Sequence, residues 1–596
     1  MLRQTSVNVE ALAHQTGLDP VLVRLLAVRG YKDAESQLHF LAPEKCAPAD
    51  PMLFADMDLA IGRIRLALEQ KENFAVFGDY DADGIMSTVI LLRTFAALGA
   101  QPIYYIPRRD GEGYGLNNEA IANLAGQGIS LIVACDNGIS AFEQIEYAKS
   151  LGIDIVVFDH HDIILDEQGR QILPKAHAVV DAKRLDCPYP FKYYCAAALC
   201  YRFSQVLFRS LGRDWSQLQK ELLPLATLAS VCDIVDLVGE NRALVKMGLP
   251  AIHDTANCGL RALIRATGLE AMEQITTYHV GFVLGPCINA AGRMGHVDTA
   301  TSLFLTDDPE KAAILADRLV ELNQQRRKMT ELGTEAIFKQ ISEKGLNQDK
   351  VIVVHSAQIA ESIAGIIAGR VKERYYHPTI IIGGEGELLR GSGRSIQGYN
   401  IFEGLSEIKD LFPSFGGHPL AAGLSIRSQD VGSLRRRIND NCHLIESDFQ
   451  QVYRIDCALD PANVNLKLAK TLSLLEPSGK GNETPLFAVK GIRLLKLTSL
   501  GKTGKTLRWH LQTPKGVVCD AIYFHGRELL EQCISETYGP ETWHNLFFGT
   551  AGALERPVYL DIIYSISCSC YMGRESAKIE IVSFRPASSA ADSRKA

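Results

Sequence analysis

The stretch Phe74-Ala75-Val76-Phe77-Gly78-Asp79-Tyr80-Asp81-Ala82-Asp83-Gly84 decides the fold. Four apolar residues suit a strand buried on both faces, and acids follow at once, just before a helix-length segment. The pattern recurs. Residues 102–105, 131–134 and 154–158 are further short apolar runs, separated by helix-length segments around 85–98, 117–127 and 140–151. Strands alternating with helices predict an α/β fold built on a doubly wound parallel sheet, whose ligands sit at the carboxyl ends of the strands. Three of the four runs lead into acids at that end: Asp79, Asp81 and Asp83, then Asp136, then Asp159-His160-His161. A fourth acidic segment, Asp233-Ile234-Val235-Asp236, follows the helical stretch 222–231.

A single Asp at a strand end is ordinarily a turn residue or a helix N-cap. Four acidic segments, one carrying adjacent histidines, are hard to explain that way. So many carboxylates in a small space disfavour one another's ionisation unless a counter-charge is present, and a divalent metal supplies it. A mixed Asp/His shell favours Mn²⁺, accommodates Mg²⁺, and differs from the Cys-rich shell of structural Zn²⁺. Two divalent ions would clamp the attacking and leaving oxygens of a displacement at phosphorus, so the chemistry is metal-dependent phosphoester hydrolysis.

The remainder of the 596 residues divides by character. Residues 1–50 form an N-terminal segment with no assigned role. Asp308-Pro309 predicts a helix start, and 310–344 continues as one long helix with an all-polar middle, Asn323 to Lys328, suited to a domain boundary. Residues 351–354 and 379–382 predict strands of a second, smaller α/β domain. From about 450, short strand-like segments at 488–497, 507–512 and 517–524 predict a small β-barrel. The expected domains are therefore 51–305, a connecting helix 306–345, 346–430, and 450–584, with a disordered Ser/Ala-rich tail at 585–596.

Composition excludes several classes. An apolar fraction of 47% with 22% charged residues, and no unbroken apolar run of membrane-spanning length, excludes a membrane protein. The N-terminus lacks signal-peptide features and the fourteen Cys residues include no C-x-x-C pair, so the cytoplasm is the expected compartment. The net charge is −7, yet 484–519 holds no acid and seven basic residues: Lys490, Arg493, Lys496, Lys502, Lys505, Arg508 and Lys515. With Trp509, Tyr523 and Phe524 nearby, this stretch is either a solvated charged face or a surface that follows a single strand and stacks its bases. Residues 501–506 (GKTGKT) resemble a phosphate-binding loop, but Ser499 stands where its first Gly is required and β-like segments flank it, so no ATP site is expected.

The motifs GDYDADG (78–84), DNGIS (136–140), DHH (159–161) and ATLASVCDIVDL (226–237) resemble the four motifs of the DHH phosphoesterases. GYGLN (113–117), GPCINAAGR (285–293), GSGRSIQGYN (391–400) and FGGHPLAAG (415–423) narrow the resemblance to the branch that degrades single-stranded DNA. The resemblance covers about residues 50 to 530 and implies 5′→3′ exonuclease action, a second domain of the DHHA1 type and a C-terminal OB-fold. It implies one metal on Asp83, Asp136, His160 and Asp233, and a second on Asp81 and Asp136 with Asp79 close by, with His161 near the scissile phosphate. It also implies that DNA runs between the two α/β domains past Arg109, Asn289, Arg293, Ser392, Arg394, Ser395 and His418. Independently of it, residues 391–395 and Gly416-Gly417-His418 suit Gly-rich loops whose backbone N–H groups cradle phosphate.

The chain departs from that branch at Cys287, where most members have Arg, at 360–365, and at Ser478. Cys287 predicts a missing cation along the DNA. Two other readings compete: a DHH phosphodiesterase for short RNA fragments or cyclic dinucleotides, disfavoured by the region 450–580, and a catalytically dead DNA-binding scaffold, disfavoured because every metal acid is present. The branch also implies a single-strand-binding protein and a helicase as partners. The expected state is a monomer.

Overall fold

The structure, a computed structural model, describes residues 1–108, 112–501, 504–549, 557–571 and 574–587. The chain forms two compact units, one of residues 48–235 and 247–451, the other of 1–47, 236–246 and 452–596.

The first unit is built on the predicted α/β sheet. Strands β1 (Phe74–Phe77), β2 (Ile103–Tyr105), β3 (Leu131–Cys135) and β4 (Asp154–Phe158) lie on the predicted runs. A small hairpin, β5 (Ile164–Leu165) and β6 (Gln171–Ile172), precedes β7 (Ala178–Val180), a three-residue strand that completes the sheet. The order is β2-β1-β3-β4-β7, all parallel. The chain reverses direction across the sheet between β1 and β3, so their carboxyl ends flank the crevice where such sheets bind ligands. The apolar runs are buried, as strands covered by helices on both faces must be.

The long helix runs unbroken from Pro309 to Lys344. The Asp308 side chain caps its start by accepting N–H from Glu310 and Lys311, and Gly345 ends it in a left-handed conformation. Its middle is less free than the polar sequence implied, because Asn323 and Arg326 are half-buried against the helix Gly285–Arg293. The second sheet has the order β11-β12-β10-β9-β8, with β8 (Ile352–Ser356), β9 (Thr379–Gly383), β10 (Leu388–Arg394), β11 (Ser414–His418) and β12 (Ala421–Arg427). Both sheets and the long helix share one compact unit.

The second unit holds the barrel. β13 (Cys457–Ala458) leads into β14 (Phe487–Leu500), β15 (Thr506–Gln512), β16 (Val518–Tyr523), β17 (Val558–Tyr571) and β18 (Arg574–Pro586). Pairing of β14 with β17 closes the ring β14-β15-β16-β18-β17. Leu22, Leu25, Leu26 and Phe40 of the N-terminal helices join Trp509, Leu511, Tyr523 and Tyr564 in its core. Arg242 is fully buried in this unit, stacked on Phe40 and donating to the carbonyls of Phe40, Leu474, Leu475, Glu476 and Pro477. Of the expected tail, Arg585 and Pro586 belong to β18, and 588–596 lie outside the described residues. Among the cysteines whose side chains are described none is in a disulfide, and among the described residues no helix is long and apolar enough to cross a membrane.

Candidate metal centre and substrate cleft

The segment after β1 turns directly into the helix Ala82–Ala97, and its acids divide the work. Asp81 is the N-cap: its Oδ1 accepts N–H from Asp83 at 2.9 Å and Gly84 at 3.1 Å. Capping and metal binding are not alternatives here, since a carboxylate has a second oxygen. Asp83 accepts N–H from Ala196 and Ala197, at 2.8 and 2.9 Å, at the start of the helix Ala196–Ser210. The turn is tight enough that a Cβ on Gly84 would meet the Asp79 backbone oxygen at 2.6 Å.

Asp136, after β3, has φ 62°, a left-handed conformation uncommon for a non-glycine residue and frequent at functional sites. Tyr114 donates its hydroxyl to the Asp136 carbonyl at 2.7 Å. After β4, Asp159 accepts from the backbone N–H of His160 and His161, from the N–H of Ile139, and lies 2.7 Å from His161 Nδ1. His160 thereby points at the acids: its Nε2 is 3.2 Å from Asp136 and 3.5 Å from Asp83, and its Nδ1 is 3.9 Å from Asp233, the C-cap of the helix Ser216–Cys232.

Three overlapping groups have ligand atoms within 4.8 Å of one another: Asp79, Asp81 and Asp136; Asp83, His160 and Asp233; Asp136, His160 and His161. Asp136 belongs to two of them and His160 to two. Burial and the neighbouring acids push the Asp83 and Asp136 carboxyls up, and Asp233 up to about 8. Burial lowers His160, against the pull of the Asp83 charge. Burial would also raise Asp159, but the His161 hydrogen bond and charge hold it at about 2, and the same bond raises His161 to about 9 against its own burial. A carboxylate cluster that repels itself and faces an imidazole whose burial disfavours its charged form fits divalent cations.

Sequence reasoning missed the roles of Tyr114 and Asp159, although both lie inside quoted motifs. Asp159 is the first residue of the Asp-His-His run, and its signal was overshadowed by the histidines it orients.

Beside the acids, a cavity of about 520 Å³ is lined by Tyr114, Ser140, Asp159, His161, Asn400 and His418, among others. It joins the two sheets, since Asp162 pairs with both Lys183 and His418. A larger hollow of about 670 Å³ at the amino ends of β1 and β2 holds none of these residues.

The substrate-contact expectations fare unevenly. Asn289 accepts the N–H of Ala82 at 2.8 Å, which locks the helix Gly285–Arg293 onto the acid turn, and Arg293 donates to the carbonyl of Ser362. Ser392 and Arg394 are hydrogen-bonded to each other at 3.1 Å. Residues 391–394 are not a loop: they lie in β10, paired on both sides by β9 and β12, so their backbone N–H groups serve the sheet and only side chains remain for a ligand. Gly416, Gly417 and His418 likewise form a strand, but β11 is at the edge and is paired on one side alone. Ser395 is buried and donates its hydroxyl to Tyr399, so it faces the core. Arg109 lies outside the described residues. Cys287 is 2% exposed and accepts from Asn323 rather than opening onto the cleft.

In the barrel, Trp509 and Tyr523 are core residues in edge-to-face contact at 5.4 Å, which removes them as base-stacking surfaces. Phe524 is exposed, with Lys578 over its ring. Lys490, Lys496, Lys505, Arg508 and Lys515 are exposed, and Lys502 lies outside the described residues.

Acids flanking the switch point of a parallel sheet, paired histidines after its fourth strand and a second sheet across the cavity define a DHH phosphoesterase. Family models agree: the DHH family N-terminal domain matches residues 73–230, the DHHA1 domain 348–443 and the RecJ OB domain 455–583. The chain belongs to the RecJ family. It is 31% identical over 496 residues to the single-stranded-DNA-specific exonuclease RecJ of Escherichia coli (strain K12), covering 79% of this chain and 83% of that protein. It is 35% identical over 529 residues to the RecJ of Bacillus subtilis (strain 168), covering 88% of this chain and 65% of that longer protein. The crystal structure of RecJ in complex with Mn²⁺ from Thermus thermophilus matches with a TM-score of 0.78 at 25% identity, covering 99% of this chain and 80% of that one.

Proposed function

We propose that the chain is a single-stranded-DNA-specific exonuclease that hydrolyses phosphodiester bonds from the 5′ end, releasing mononucleotides, in DNA recombination and repair. The observation that carries this reading is the set of Asp/His groups sharing Asp136 and His160 at the sheet's switch point. Asp83, Asp136, His160 and Asp233 would hold one divalent ion, Mn²⁺ in preference to Mg²⁺, and Asp81, Asp136 and Asp79 the other. When bound, such ions supply Lewis-acid stabilisation of charge on the phosphoryl group and an acidified water.

The chain's own residues do the rest. Asp159 fixes the ring of His161, which faces the cavity, and the hydrogen bond between them favours the protonated ring, so His161 can present a hydrogen-bond donor to a phosphate oxygen. Tyr114 holds the Asp136 carbonyl and thereby the strained turn. Arg293, Ser392, Arg394 and His418 would bind the strand, and Asn289 would act by positioning the acid turn. The labour divides into a catalytic domain (51–305), a connecting helix (306–345), a substrate-binding domain (346–430) and a nucleic-acid-binding barrel (450–584). The protein acts as a cytoplasmic monomer alongside a single-strand-binding protein and a helicase.

The test is a Mn²⁺-dependent digestion of single-stranded DNA labelled at the 5′ or the 3′ end, beside duplex DNA and a dinucleotide. Early mononucleotide release from the 5′ label, confined to single strands, is expected. Cleavage of the dinucleotide alone would overturn the reading in favour of a small-substrate phosphodiesterase.

A further inference from the structure

The long helix delivers positive charge to a place the metal chemistry does not use. Asn323 donates to Cys287 Sγ at 3.3 Å and accepts from Arg326 Nη2 at 2.8 Å, so a buried thiol and an amide aim a guanidinium. The Arg326 Nε is buried without a hydrogen-bond partner. Arg327 follows it on the exposed side, and Arg370, on the helix Glu361–Tyr375, is near enough for its charge to act on Arg326. Among the described residues, none of these three arginines has a carboxylate partner within ion-pair distance. Three like charges near one another without a counter-ion repel, and an anion bound among them would offset that repulsion.

The location fits a nucleic-acid backbone. Along the helix Gly285–Arg293, Asn289 at its middle meets the acid turn and Arg293 at its end donates to Ser362, while Cys287 meets the long helix through Asn323. The six residues from Cys287 to Arg293 span about 9 Å at the rise of an α-helix. The helix Glu361–Tyr375 runs alongside the long helix, with Ile367 against Gly333, and its Gly369 has open space where a side chain would be. That leaves room for a ligand backbone to approach.

We propose that Arg326, Arg327 and Arg370 form a second phosphate-binding site, which takes the backbone of the single strand at least one nucleotide away from the bond being cut. Planar guanidinium groups suit bidentate contacts to phosphate, and the site reads no base. It sets affinity for long strands and leaves the chemistry at the acids unchanged. The proposal rests on the exonuclease reading.

The test compares the full chain with R326Q/R327Q/R370Q on a 5′-phosphorylated 20-nucleotide strand and a 5′-phosphorylated trinucleotide. The expected result is that the advantage of the 20-mer over the trinucleotide in kcat/KM falls at least tenfold. The slope of log affinity against log salt for the 20-mer, measured in an Asp136→Ala background to prevent cleavage, should fall by about 0.7 for each backbone phosphate the three arginines neutralise, and so by about 0.7 to 2. Because Arg326 is partly buried, the surface pair R327Q/R370Q serves as a second variant and should give an intermediate loss. An unchanged length advantage and an unchanged salt slope would overturn the proposal, including the case where both substrates suffer equally from damaged folding. If the unaltered chain degrades neither substrate, the exonuclease reading fails and takes this site with it.

Discussion

Gly292→Ala is the most informative single change near the acids. A Cβ built on Gly292 would lie 2.2 Å from the backbone oxygen of Tyr80, the residue between Asp79 and Asp81. Carbon and oxygen at van der Waals contact need about 3.2 Å or more, so the two segments must separate by about 1 Å. The obstacle is backbone on both sides, held by the Asn289–Ala82 hydrogen bond, so no rotamer change relieves it. Overpacking of this kind costs about 1–3 kcal/mol of stability, and a displacement of about 1 Å at a catalytic turn can cost about 100-fold in rate. The assay is kcat/KM on single-stranded DNA together with the thermal midpoint. The matched control is Gly62→Ala, within the helix Met57–Gln70, where a Cβ meets nothing within 4 Å. The control should gain about 0.5–1 kcal/mol and keep full activity. A Gly292→Ala protein with activity within twofold of the unaltered chain would refute the reasoning, because the acid turn would then tolerate the separation.

Other expectations follow from buried groups. Burial, with the nearby Asp159 charge, raises Asp181 to about 8, so the folded chain holds a proton that the unfolded chain, with an ordinary carboxyl, has released. Stability contributed by this group is therefore present below about pH 4 and is lost as pH rises toward 8, by about 1.4 kcal/mol per unit in between. Asp181→Asn keeps an acceptor for the Lys183 N–H and should gain thermal midpoint over the unaltered chain between pH 5 and 7; a pH-independent difference would contradict this. Trp509→Ala should cost the barrel about 3–5 kcal/mol in urea unfolding, as expected for a large core side chain, and a variant of unaltered stability would return Trp509 to the surface. Cys287→Arg should lower the thermal midpoint, because it forces a long cation into a buried position beside Arg326 and Arg327, and pairing it with Arg326→Gln should recover part of the loss.

The sheet and its acids were legible because four of its strands are compact apolar runs and three of them, β1, β3 and β4, lead directly into acids, a local signal. β7 escaped notice because three residues, Ala178–Val180, are too few to show a period. The glycines of β10 and β11 pointed to loops, since glycine carries no strand preference of its own; pairing in the sheet overrode that local tendency. Trp509 was readable and was misjudged: Leu507, Trp509 and Leu511 alternate with Arg508 and His510, which is the pattern of a strand with one buried face. The union of residues 1–47, 236–246 and 452–596 into one unit is of another kind. It rests on contacts between segments hundreds of residues apart, such as Arg242 with the carbonyls of 474–477, and no local pattern announces them.

The central claim is that two divalent ions share Asp136, and the number of Mn²⁺ ions bound per chain tests it most directly. Calorimetric titration should find two sites in the unaltered chain and in Asp181→Asn, but at most one in Asp136→Ala, together with loss of single-stranded-DNA turnover. An Asp136→Ala chain that still binds two Mn²⁺ ions and degrades the strand at the unaltered rate would contradict the account.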